Sequence, residues 1–150
     1  MKTRFLFFML VAFLPAAFVH AQSNAVIDTL LSQKQALAAE TCYLAMVGGG
    51  HIDESASAAE AFDLAREKGW IRPDVVANTP MNAEDVAFLV MRAFGLRGGF
   101  MYMILPIRRY AYRELVGRGI LNGSGGTKRI LAGDEAAALI GKASSLKGGD

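Results

Sequence analysis

Shifted by fifty residues, the later half of this chain reads in register with the part before it. Ala61-Phe62 falls on Ala111-Tyr112, Lys68-Gly69-Trp70-Ile71 on Arg118-Gly119-Ile120-Leu121, and Met81 on Leu131. Glu84-Asp85 falls on Asp134-Glu135, Ala87 on Ala137, Leu89 on Leu139 and Arg92-Ala93 on Lys142-Ala143, without a gap. Two unrelated amphipathic helix pairs would share apolar spacing, but not the common register of glycine, apolar pair and acid. A repeat constrains a fold strongly, because each copy must form the same unit and bury its apolar face on a neighbour. Each copy reads as helix, glycine stop, apolar pair, polar loop, apolar anchor, acidic helix start and second helix. A further shift by fifty puts Leu31 on Met81 and Ala36 on Val86, which makes Leu31 to Val47 the second half of a truncated first copy.

The spacing of apolar residues is helical throughout. Ala25 to Val47 carries Val26, Ile27, Leu30, Leu31, Leu37, Thr41, Leu44 and Ala45 on one face, as one long helix or two short ones, stopped by Gly48-Gly49-Gly50. A helix over Ser55 to Lys68 has Asp53 or Ser55 as its cap and ends at Gly69. The next is capped by Asn82, with Asp85 in the capping-box position, and ends near Gly95. Phe100 to Leu105 is an apolar run closed by Pro106, readable as a buried extended segment or a short helix. Arg108 to Arg118 forms another helix, and Asp134 to Ala143 the last. The expectation is an all-α domain of about five short helices in tandem helix–loop–helix repeats, two copies plus a partial first one. Its core is organised by Phe62, Trp70, Phe88, Phe94, Phe100 and Tyr112.

This layout resembles the S-layer homology repeat of bacterial envelope proteins over residues 61 to 143, or from about 35 with the partial copy. In that family an apolar residue and Thr-Arg-Ala-Glu precede the second helix. The matching stretches are Met81-Asn82-Ala83-Glu84-Asp85 and Leu131-Ala132-Gly133-Asp134-Glu135. The acid is kept at Asp85 and Glu135, while Ala83 and Gly133 stand where the arginine would be. The resemblance implies three copies packed into a central helix bundle, with cell-wall polysaccharide bound in the grooves between them.

Lys2 and Arg4, the apolar run Phe5 to Val19 and Val19-His20-Ala21 have the form of a secretory signal cleaved between Ala21 and Gln22. A retained anchor is the alternative, but the run of about 15 residues is short of the ~20 that cross a bilayer. The expected organisation is a signal over 1–21, one helical domain over 22–143 and a flexible tail over 144–150. The address is then the periplasm or exterior of a bacterial envelope, with the chain at most peripheral to a membrane. The one cysteine, Cys42, cannot pair internally and reads as a small buried apolar residue.

Without Lys2 and Arg4 the chain carries 14 basic and 14 acidic residues, a balance that argues against a nucleic-acid partner. Charge is segregated along the sequence. Glu40 to Asp85 has nine acids and three bases, whereas Met91 to Ile130 has eight bases and the single acid Glu114. Within the basic stretch, Arg108, Arg109, Tyr112 and Arg113 are the candidate ligand-binding residues. Guanidinium forks grip carboxylates and phosphates at two points, and tyrosine offers a flat face to a sugar ring. The alternative is that the basic half docks on the acidic half inside the fold. His51, Asp53 and Glu54 are too few for a catalytic metal site, and a single histidine after Ala21 cannot supply a serine–histidine–acid set. Gly123-Ser124-Gly125-Gly126-Thr127-Lys128 lacks the spacing of a phosphate-binding loop. The sequence therefore implies no catalytic residue, no cofactor and no metal. It implies a non-catalytic envelope protein that binds cell wall or another anionic glycan. The second reading is a subunit of an outer-membrane or secretion assembly, anchored through Phe100 to Leu105.

Overall fold

The computed structural model describes residues 24–147, so the signal expected over 1–21, with cleavage after Ala21, lies outside the described residues. Seven helices follow in order. They are α1 (residues 24–32), α2 (Ala38–Gly48), α3 (Ala58–Glu67), α4 (Ala83–Ala93), α5 (Phe100–Ile104), α6 (Arg108–Gly117) and α7 (Gly133–Lys147). The protein is all-α, and the β pairing among the described residues amounts to two isolated bridges, Leu37 with Pro80 and Asn82 with Ile130. The count exceeds five because residues 33–37 divide α1 from α2, and because Phe100–Ile104 makes a helical turn of its own.

Those bridges belong to a closed cycle of backbone hydrogen bonds. Ala36 N–H donates to Leu131 O at 2.8 Å, Leu131 N–H to Met81 O at 3.2 Å, and Met81 N–H to Ala36 O at 2.8 Å. All three residues are buried, and each lies two positions before a helix. The free N–H groups of those helix starts are met by neighbouring loops. Ala38 and Ala39 donate to Thr79 O and Ala77 O, Ala83 and Glu84 to Arg129 O and Thr127 O, and Gly133 to Gln33 O, all within 3.0 Å. Helix α2 has no side-chain cap, because an adjoining segment replaces it. Ala36, rather than Leu31, therefore shares the place of Met81 and Leu131, while Leu31 is exposed.

From this common origin α2, α4 and α7 run side by side in one direction and pack on one another. At their far ends the His51 imidazole meets Ala93 O at 2.8 Å, and Lys147 Nζ donates to Gly49 O at 2.7 Å. That last contact holds residues 144–147 in the helix, where the sequence suggested a loose tail. Helix α3 packs on α2, and α6 on α4. Ser57, rather than Asp53 or Ser55, caps α3: its hydroxyl accepts from Glu60 N–H, and its own N–H donates to Glu60 Oε2 at 2.7 Å. Gly69 and Gly119 follow α3 and α6 with φ of 71° and 68°, a left-handed turn in which glycine carries no Cβ penalty. Phe62, Phe88, Phe94 and Tyr112 enter the core as expected, and Trp70 lies half-buried at its edge. Phe100 does not enter it, because the Gly98-Gly99 bend swings α5 outward and turns Tyr102 inward in its place.

Gly133 starts α7 where the first and last segments meet, and a Cβ there would stand 1.7 Å from Leu30 O. Gly133→Ala should lower stability by about 3 kcal/mol, the upper end for forcing extra volume into a packed site. Gly141→Ala, at an open helical position, should raise it by up to about 1 kcal/mol. Denaturant midpoints measure both, and equal midpoints for the two variants would refute the close approach.

Candidate functional site

The four residues singled out on α6 face different ways. Arg108 opens the helix and turns inward, where its Nε lies 2.9 Å from Asp85 Oδ1 and its guanidinium covers the Phe88 ring at 4.8 Å. The Nε hydrogen is not directed at that oxygen, so this is an ion contact rather than a hydrogen bond. Arg108 Nη2 also reaches Trp70 O at 3.4 Å. Tyr112 is buried and donates its hydroxyl to Gly123 O at 2.9 Å, tying α6 to the glycine-rich loop. Arg109 and Arg113 are exposed. Arg108 and Tyr112 thus serve the interior, and no four-residue ligand surface assembles on α6.

Asp85, only 5% exposed, is the centre that Arg108 serves. Arg72 Nη2 reaches its second oxygen at 3.2 Å. Burial lifts the Asp85 carboxyl above its ordinary value, against the pull of both guanidiniums. Next to it Glu84 pairs with Lys128. Two contacts therefore tie the acidic stretch to the basic one, as internal docking requires. Glu135, at the same helix position in α7 as Asp85 in α4, is gripped by Arg129 through two hydrogen bonds of 2.5 and 2.6 Å. These bonds hold Glu135 below and Arg129 above their usual ranges. The corresponding acid of α2 is Glu40, whose Oε2 is buried without a hydrogen-bond partner.

Sequence reasoning offered Phe100 to Leu105 as core or as surface, and the structure resolves it as surface. Phe100 is 68% exposed and Met103 71%, and Met101, Ile104, Leu105 and Ile107 are exposed as well. Helix α5 packs on α6, and its entry is pinned by Gly99 N–H donating to Glu114 Oε2 at 2.7 Å. That hydrogen bond, with Arg118 behind it, holds the Glu114 carboxyl below the usual range. Gly98 lies so close to the Tyr102 ring that a Cβ would come within 2.4 Å of it, so the bend and the inward Tyr102 require each other.

Other singled-out groups are structural. The His51 ring packs edge-on to Trp70 at 5.0 Å. Burial pushes the Cys42 thiol up to about 12, which leaves it an inert apolar filler. At the helix C-terminal end of the bundle, a groove of about 550 Å³ is lined by Phe94, Leu96, Arg97, Arg118, Leu146 and Lys147. No helix among the described residues is long and apolar enough to cross a membrane. Comparison with family models, characterised proteins and solved structures found no match to this chain.

If Arg108 is a structural cation, Arg108→Ala should cost about 2 kcal/mol, below the range for a fully buried pair because the side chain keeps some solvent contact. Arg109→Ala should stay within about 0.5 kcal/mol of wild type. Thermal unfolding of the two variants compares them, and equal losses would place Arg108 outside the fold's support.

Proposed function

We propose that this chain is an exported, non-catalytic module of a bacterial envelope that works by docking through the apolar knob of α5. The observation that carries the reading is the exposure of six large apolar side chains between Phe100 and Ile107, on a domain with a well-filled core of its own. A soluble domain does not expose so contiguous an apolar surface at no cost, and such patches mark interaction sites. The signal pattern at residues 1–21 supports the address. The tandem spacing, with helix starts at Ala58 and Arg108 and again at Ala83 and Gly133, supports a repeated unit. Three helices running side by side from one hydrogen-bonded cycle support the likeness to S-layer homology domains.

The exported protein should sediment with the envelope fraction of its host. Met103→Glu should move most of it to the soluble fraction without lowering the melting temperature, since the side chain lies in solvent. A variant that stays with the envelope as wild type does would remove the docking role.

Binding to an anionic wall glycan is a second reading, favoured by the groove that gathers Arg97, Arg118 and Lys147. Purified sacculi should then retain the wild type and release an Arg97→Ala/Lys147→Ala variant at moderate salt. Equal retention of both proteins would discard the groove.

A further inference from the structure

We propose that the occupant of the α5 knob is the surface of an anionic phospholipid bilayer, into which the knob inserts at headgroup depth; this rests on the docking reading above. The shape of the knob selects the occupant. A helix that docks in a protein groove offers one stripe, with side chains three and four apart. Here Phe100, Met101, Met103 and Ile104 are all exposed, and Leu105 and Ile107 continue the apolar surface beyond the helix, while Tyr102 alone turns inward. A single rigid protein groove covers one stripe of a helix and leaves the other splayed side chains in water. A fluid acyl layer can, because it has no fixed shape.

The surrounding charge fits the same occupant. One flank of the knob forms a hollow of about 440 Å³ in which Arg92 and Arg97 lie beside Met103 and Pro106. On the other flank Tyr110 and Arg113 lie beside Met101. Arg92, Arg97 and Arg113 are all exposed. The one acid of the stretch, Glu114, is occupied by Gly99 N–H and Arg118, so it does not offset them. An apolar tip ringed by guanidiniums matches acyl chains beneath phosphate headgroups, and a tyrosine at the rim suits the interface between them.

The far half of the knob also has its backbone donors paired, which lowers the cost of an apolar medium. Met103 N–H donates to Gly99 O, Leu105 N–H to Met101 O and Ile107 N–H to Leu105 O, all within 3.0 Å. Pro106 has no N–H to satisfy.

Vesicle flotation tests the assignment, using protein purified after export. Vesicles of phosphatidylcholine mixed with phosphatidylglycerol should carry the protein to the lipid layer, and phosphatidylcholine alone should carry about tenfold less. Raising the salt should weaken the difference. Met103→Glu should abolish flotation, and Arg97→Gln and Arg113→Gln should each reduce it about fivefold. Met103→Trp should float and shift its emission to the blue on the mixed vesicles alone. Equal flotation of wild type and Met103→Glu, or no preference for phosphatidylglycerol, overturns the proposal. Self-association that Met103→Glu abolishes, with no flotation, assigns the knob to a second copy instead. Envelope retention in cells that depends on Met103, again without flotation, assigns it to a protein partner. Those last two outcomes overturn the lipid assignment and leave the docking reading standing, whereas retention indifferent to Met103 removes docking itself.

Discussion

Three backbone N–H groups, those of Ala36, Met81 and Leu131, each donate to the carbonyl of another in a closed ring. A helical domain seldom takes its architecture from extended backbone, yet here the ring decides where three helices begin and that they point the same way. Each anchor is apolar and buried, so the hydrogen bonds form where water cannot compete for them. The adjoining loops then satisfy helix-start donors that side chains usually serve. The small residues Ala38, Ala83 and Gly133 open the three helices, which lets backbone approach backbone. The peripheral helices α3 and α6 fill the sides of a frame set by the ring.

Much of that frame was legible in the chain. Period-3.6 patterning located the helices, and Gly69, Gly119 and Asn82 marked their ends through backbone geometry and a capping oxygen, both local effects. The place of Ala36 was not legible. An alanine carries little sequence signal, and its role comes from hydrogen bonds to residues far along the chain. Phe100 misled for a related reason. An aromatic within an apolar run normally enters the core, and only the approach of Gly98 to Tyr102 shows why this run turns outward.

The candidate site was half legible. Charge segregation pointed to internal docking or a ligand surface, and the structure answers for docking: Arg108 goes to Asp85, while Arg109 and Arg113 stay in solvent. Spacing on a helix assigns faces, but it does not say which face meets a neighbour. Asp85 was read as part of a cap. Asn82 does cap α4, but the Asp85 carboxylate does not return the hydrogen bond; it is the buried anion holding Arg72 and Arg108, because the loop after α3 and the start of α6 reach one point. The same arginine-rich stretch therefore supports the interior with one residue and rims the apolar knob with others.

The ring also orders events in time. A polypeptide delivered N-terminus first, from a ribosome or through a translocation pore, presents Ala36 and Met81 long before Leu131 arrives. Until then the ring has no third member, α2 and α4 lack α7 against them, and the tie from Lys147 to Gly49, 98 residues apart in sequence, cannot form. Closing so wide a loop adds little entropy beyond a shorter one, but it cannot happen early. Such a chain completes its frame only once the segment from Leu131 to Lys147 is free to fold against α2 and α4.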